Sequence, residues 1–179
     1  SALLRLQSRR SCEDAVKVAL AEAERRVQAI ATVHAALSQN VDESVDFDEV
    51  ARTIVRMAGA IASTDHSVEV ITTGSFGTIQ ADQAQALATV LNELVANSVE
   101  HGLADRDGLI EVRAEREGTS MTVTVADDGV GFVPGTPMSG LGTQIVHQMV
   151  RGELKGSIEW APRVGGGTLV TLHANLDPA

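Results

Sequence analysis

The chain has 179 residues, with 24 acidic against 14 basic side chains and a formal net charge of -10. That excess argues against a protein whose main task is gripping nucleic-acid phosphates. Hydrophobic residues make up 44% but aromatic ones only 2%, so the expected core is aliphatic, while the single cysteine, Cys12, excludes a disulfide framework or a four-cysteine zinc site.

The chain opens Ser1-Ala2-Leu3-Leu4, without a methionine and inside an apolar pattern, and reads as a piece of something longer. Val16, Leu20, Ala23, Val27, Ile30, His34 and Leu37 form a heptad seam. The seam predicts a helix from near Cys12 to about Gln39, with Ser11 and Asp14 as a capping box. Leu3, Leu4 and Leu6 are its local partner; two antiparallel helices bury little, so dimerisation into a four-helix bundle is the economical solution. From Phe47 the pattern becomes mixed α/β. Asp48 to about Ala62 reads as an amphipathic helix through Val50, Ile54, Met57, Ala58 and Ile61, and Val68 to Ile71 as a short strand. Asp82 is the expected N-cap of a long helix through Ala86, Val90, Leu94 and Val99, ended by Gly102. Leu109–Ala114 and Met121–Ala126 alternate as paired strands around Gly118. Thr143 to about Val150 is a helix, and Gly156–Trp160 and Thr168–His173 are a last strand pair around Gly165, Gly166 and Gly167. The fold class predicted is a two-layer α/β sandwich preceded by a helical hairpin, divided into residues 1–41 and 42–179. No apolar run approaches the roughly 18 residues of a membrane span, and no signal peptide is visible.

Two glycine groups are too patterned to be turns alone. Asp127-Asp128-Gly129-Val130-Gly131-Phe132 follows a strand, and Ser139-Gly140-Leu141-Gly142 precedes a helix. Val133 to Met138 between them, with Pro134, Gly135 and Pro137, reads as a mobile lid. Glycines permit close backbone approach and amides at a helix N-terminus favour anions, so a phosphate-bearing ligand is a reasonable expectation. Gly129-x-Gly131 alone is weak evidence and reads better as a hairpin turn; it does not extend to GxGxxG, because position 134 is Pro, and no GxxxxGK[ST] occurs.

On the long helix, Glu93, Asn97 and His101 stand at i, i+4 and i+8, one polar stripe. An amide oxygen from Asn97 suits Mg²⁺, which takes few protein ligands beside phosphates, and Glu93 suits a base or the orientation of a water. The other reading of the stripe is a solvated helix face. Of the remaining histidines, His34 is read as packing, His66 and His173 as incidental and His147 as surface. Cys12 is read as structural, and Arg151 and Lys155 as solvated.

Taken together, these motifs resemble the GHKL ATPases. Asn92 to His101 (Asn-Glu-Leu-Val-Ala-Asn-Ser-Val-Glu-His) resembles the N-box, Asp127-x-Gly129-x-Gly131 the first glycine box, Gly140-x-Gly142 the second and Gly167-Thr168 the closing Gly-Thr motif, in order over about residues 47 to 175. The resemblance implies a Bergerat-type ATP site. Asp127 would then bind the adenine amino group with Thr168 nearby, Asn97 would hold Mg²⁺, Glu93 would support phosphoryl transfer, and the Gly140, Leu141, Gly142 segment would cover the phosphates. His101 is a further candidate on the ATP side, since Glu100 stands where many members have a basic residue. Two other departures are a short lid without a phenylalanine box and Thr143 where Leu is usual.

Arg26 to His34 resembles the second dimerisation helix of the HisKA_2 histidine kinases, and Leu3 to Arg10 the end of their first helix. In that family the phosphoacceptor histidine lies upstream, so the fragment is expected to bind nucleotide without phosphorylating itself. The whole chain looks most like the catalytic core of actinobacterial cytosolic sensor kinases with GAF and PAS domains. The resemblance implies a homodimer, ATP and Mg²⁺ as cofactors, and a response-regulator partner with an RNA-binding ANTAR domain, without direct nucleic-acid or membrane contact in this segment. Two alternatives stand beside it: an anti-sigma-factor serine kinase of the same fold, and a non-catalytic nucleotide-sensing dimerisation module.

Overall fold

A computed structural model describes residues 44–61, 66–104, 106–132 and 140–178. The heptad hairpin with His34 and Cys12, and the lid read at Val133 to Met138, lie outside the described residues.

Seven strands and three α-helices alternate in the described segments: β1 (Ser44–Asp46), α1 (Phe47–Ile61), β2 (Val68–Gly74), β3 (Thr78–Gln80), α2 (Ala81–Asn97), β4 (Gly108–Glu117), β5 (Ser120–Asp127), α3 (Leu141–Gly152), β6 (Ser157–Pro162) and β7 (Thr168–Asn175). Five strands form one sheet in the order β2-β4-β5-β7-β6, and β1 and β3 pair separately. β4–β5 and β6–β7 are antiparallel hairpins, as their turn glycines predict, and β5 joins β7 between them. β2 instead runs parallel to β4, with Val70 opposite Ile110. A parallel neighbour needs a crossover, and α2 lies in that connection.

The sheet buries one face. Ile110, Val112 and Ala114 on β4, Met121, Val123 and Val125 on β5, and Val170, Leu172 and Ala174 on β7 are all buried, while the residues between them are more exposed, the period-2 signature of a one-sided sheet. Above this face α2 lies between α1 and α3, in contact with both. It is buried on several sides, with Leu87, Leu91 and Leu94 all at 2% exposure or less. Val50 and Ile54 of α1 and Val146 and Val150 of α3 complete a core that is aliphatic apart from the buried Phe47 and Phe76.

Three polar devices fasten the layers. Asp46 Oδ1 accepts from the backbone N–H of Asp48 at 3.1 Å and so caps α1, which begins one residue earlier than predicted. Asp48 then accepts from Ser75 Oγ at 2.6 Å and Phe76 N at 2.7 Å, tying α1 to the loop before β3 beside the tilted Phe47–Phe76 ring pair. Burial pushes the Asp48 carboxyl up, but hydrogen bonds from Ser75, Phe76 and Gly77 and the nearby Arg52 charge outweigh it and hold it below the usual carboxylate range. Gln83, 1% exposed, donates to the carbonyls of Glu153 and Asn175 and accepts from Asp177 N at 2.7 Å, binding α2 to the ends of α3 and β7. Asp82 is not the N-cap of α2. The helix already includes Ala81, and the Asp82 carboxylate accepts from the adjacent Gln83 N–H.

Candidate functional site

α2 does not end as an ordinary α-helix. After Asn97 the backbone widens into a π-helical turn, Ser98–Gly102, closed by Leu103 N donating to Ser98 O at 2.8 Å. Such wider turns shift the angular register of a helix and are frequent at functional sites. Here the turn brings Asn97, Ser98, His101 and Gly102 to one cavity of about 300 Å³, together with Leu94 from the preceding turn. Of the polar stripe read from sequence, Asn97 and His101 therefore reach the cavity wall. Glu93 is buried at 7% exposure one turn before Asn97 and is not part of that wall.

Asp127, at the end of β5, forms the opposite side. It is 2% exposed, and its Oδ1 accepts from the backbone N–H groups of Gly129 at 3.0 Å and Thr168 at 3.1 Å. Two amides, one from the loop after β5 and one from the start of β7, therefore fix the carboxylate in one orientation. Packing around it leaves no room for side chains at three glycines. A Cβ on Gly102 would stand 2.9 Å from the Asp127 Cγ, and one on Gly167 would stand 2.7 Å from the Asp127 carbonyl carbon. A Cβ on Gly129 would stand 2.8 Å from Gly102 Cα, and at that junction Val130 N donates to Gly102 O at 2.9 Å. Gly167 also has φ +94°, a left-handed conformation that side chains rarely adopt. Gly129 is thus a packing residue behind the cavity, whereas Gly131, at φ +69°, lines it.

The second glycine group caps α3. Gly140 is the extended N-cap residue, Gln144 N donates to its carbonyl, and Gly140 and Gly142 both line the cavity. The N-terminal amides of this 12-residue helix make that wall favourable for negative charge. Leu141 is the first residue of α3. Thr168, from the closing Gly-Thr pair, lines the cavity beside Asp127.

Several wall residues were not anticipated as part of a site. Ser98, Gly102 and Leu94 were within reach of helical spacing from Asn97, and Phe132 follows the first glycine group directly. Thr143 directly follows the second glycine group, whereas Trp160 and Val170 had no local signal, since they join the cavity only through the β6–β7 register. His147, read as a surface residue, is half-buried with its ring 5.1 Å from that of Trp160. His173 is exposed, 3.1 Å from Thr122 Oγ1 on the outer sheet face, and Lys155 is engaged with Asp177 at 2.9 Å. His66 sits 3.8 Å from Asp107 in the turn before β2. Among the described residues no cluster of three or more His, Cys, Asp and Glu side chains is placed to hold a metal ion, and no helix is long and apolar enough to cross a membrane.

Comparison with known proteins adds relatives to this geometry. Residues 82–178 match the family described as histidine kinase-, DNA gyrase B-, and HSP90-like ATPase, and residues 1–61 match HisKA_2, described as histidine kinase. The chain is 40% identical over 181 residues to the sensor histidine kinase PdtaS of Mycolicibacterium smegmatis and 41% identical over 178 residues to that of Mycobacterium tuberculosis. These alignments cover 98% and 97% of the chain but only 36% of each relative, so the chain spans about a third of their length. Among solved structures, the histidine kinase domain of the Erythrobacter litoralis blue-light activated kinase superposes with a TM-score of 0.66 at 23% identity, covering 86% of this chain and 74% of that one. The ATP binding domain of PrrB from Mycobacterium tuberculosis superposes at 0.62 and 20% identity, covering 76% and 100%; both likenesses show the shared fold.

Proposed function

The chain belongs to the histidine kinase-, DNA gyrase B-, and HSP90-like ATPase family, and from that premise we propose that it is the ATP-binding catalytic core of a two-component sensor histidine kinase. It passes the γ-phosphoryl group of ATP to a histidine on a dimerisation helix, and a response-regulator aspartate receives it next. The observation that carries this reading is the convergence of Asn97, His101, Asp127, Gly131, Gly140, Gly142 and Thr168, from separate segments, on one cavity. The match of residues 1–61 to a histidine kinase family favours histidine over serine as the acceptor. On this reading residues 1–41 belong to the dimerisation helices and residues 42–179 to the ATP-binding domain. The protein works in the cytoplasm as a homodimer, and its regulator carries an RNA-binding ANTAR domain.

The residues present fit Mg-ATP. The Asp127 carboxylate, with Oδ1 already held by two amides, keeps its other oxygen for the amino group of adenine. The glycine contacts behind it exclude any side chain that would push it aside. Asn97 offers the hard amide oxygen that Mg²⁺ prefers, and Glu93, buried one turn away, shapes the same end of the helix. When bound, Mg²⁺ neutralises charge on the phosphates. The backbone at the start of α3, from the N-cap Gly140 to Gly142, would hold the phosphate tail, and His101 lies on the same side of the cavity as Asn97. Catalysis by such a site consists of positioning and electrostatic stabilisation.

The test is incubation with labelled ATP and Mg²⁺ together with a polypeptide that carries the family's histidine-bearing helix. Acid-labile, base-stable label on that polypeptide, absent with Asn97→Ala, is the expected result. Phosphoserine would move the protein to the serine kinases. Tight ATP binding without any transfer would leave a nucleotide-sensing module.

A further inference from the structure

Trp160 is the single tryptophan of the chain, and the assignments above leave it without a task. It stands on the edge strand β6 opposite Val170 of β7, and Val170 stands opposite Val125, two residues before Asp127 on β5. Trp160, Val170, Val125 and Asp127 therefore project from the same face of the sheet, toward the helices. The indole is held from the helix side by His147 of α3, with ring centroids 5.1 Å apart and planes tilted by 54°. Thr143, one turn earlier on α3 and 8% exposed, lines the cavity beside it.

One end of the cavity floor thus carries a fixed carboxylate acceptor and the other a flat apolar ring. β5 and β6 are two strand spacings apart and Asp127 lies two residues beyond the level of Trp160, so the two positions are roughly 12 Å apart, room for a flat ring between their side chains. A ligand that satisfies both ends is a planar heteroaromatic ring bearing an exocyclic amino group. The geometry points to Trp160 as a base-binding residue of the nucleotide site, the wall against which the purine packs and a determinant of base specificity. This rests on the nucleotide reading above and adds to it a contact that neither the glycine boxes nor the N-box supplies.

The experiment uses the whole chain with ATP and Mg²⁺, measuring binding by calorimetry and, separately, the emission of the native chain, in which Trp160 is the sole indole. Saturating ATP should change that emission. Trp160→Leu should weaken ATP binding roughly tenfold or more, the lower part of the range for losing one base–aromatic stack. Trp160→Phe should retain most of the affinity at a similar urea midpoint, because it keeps a ring. Equal ATP affinity in all three proteins, or unchanged emission at saturation, would overturn the assignment. Equal losses in Trp160→Phe and Trp160→Leu would also overturn it, marking Trp160 as a packing residue. If Trp160→Leu does not fold, the emission of the native chain and the affinity of Trp160→Phe decide. Failure of the native chain to bind ATP in calorimetry would instead remove the nucleotide reading, and this assignment with it.

Discussion

Gly129→Ala tests the packing behind Asp127 most directly. The added methyl carbon would stand 2.8 Å from Gly102 Cα and closer still to the carbonyl carbon and oxygen of Gly102. Backbone lies on both sides of that contact, so no side chain can rotate away; either the loop after β5 or the π-helical turn must move. Two hydrogen bonds depend on the junction, Val130 N to Gly102 O at 2.9 Å and Gly129 N to Asp127 Oδ1 at 3.0 Å. A neutral bond contributes about 1 kcal/mol and one to a charged group about 1.5–3, so losing both costs roughly 2.5–4 kcal/mol. Asp127 is 2% exposed, and water cannot easily replace the lost amide. We expect a lower urea midpoint and, because the carboxylate is no longer held in place, a loss of ATP affinity of roughly tenfold or more. Gly152→Ala is the control: nothing lies within 4 Å of its added Cβ, and it should be neutral or slightly stabilising. A Gly129→Ala protein with native urea midpoint and native ATP affinity would refute the reasoning.

Gln83→Leu removes hydrogen bonds to Glu153 O, Asn175 O and Asp177 N from a site 1% exposed, and should lower stability by roughly 2–4 kcal/mol in urea titration while leaving ATP affinity near native. Asn97→Ala should remove the Mg²⁺-dependent part of ATP affinity, measured with and without the metal, and preserve the rest. Because the folded-state pKa of Asp48 is lowered, its carboxylate contributes stability above the usual Asp range, and this is lost as pH falls through the folded value. Asp48→Asn should therefore be less stable than the native chain at about pH 7, and the gap should close only as pH falls below the usual Asp range and through the lowered folded value. A stability difference that is constant over that range would count against the Ser75 and Phe76 clamp as the cause.

The parts of the fold that were legible are those whose signal is local. Period-2 alternation from Met121 to Ala126 and the left-handed Gly118 announce the β4–β5 hairpin, and the apolar spacing through Val50 and Ile54 announces α1. β1 and β3 escaped, since three-residue strands are too short for any period to show. The cap of α2 was misplaced because Asp82 offers the right residue type one position inside the first turn, where its carboxylate satisfies a neighbouring amide instead.

Residue types and their order along the chain were enough to identify an α/β domain and its family, and to single out Asn97, Asp127 and the two glycine groups, which the fold gathers around one cavity. Those features are local in origin: a helix face, a turn that only glycine can make, an amide-rich helix start. Tertiary structure alone decided that Gly129 and Gly167 serve the site by packing on Gly102 and Asp127, and that Gln83 fastens the helices to a segment 94 residues away. It also decided that Trp160 and Val170 belong to the cavity while Glu93 is buried outside its wall. The reason is physical. Contacts between distant segments depend on strand register and helix packing across the whole domain, which no residue's nearest neighbours encode.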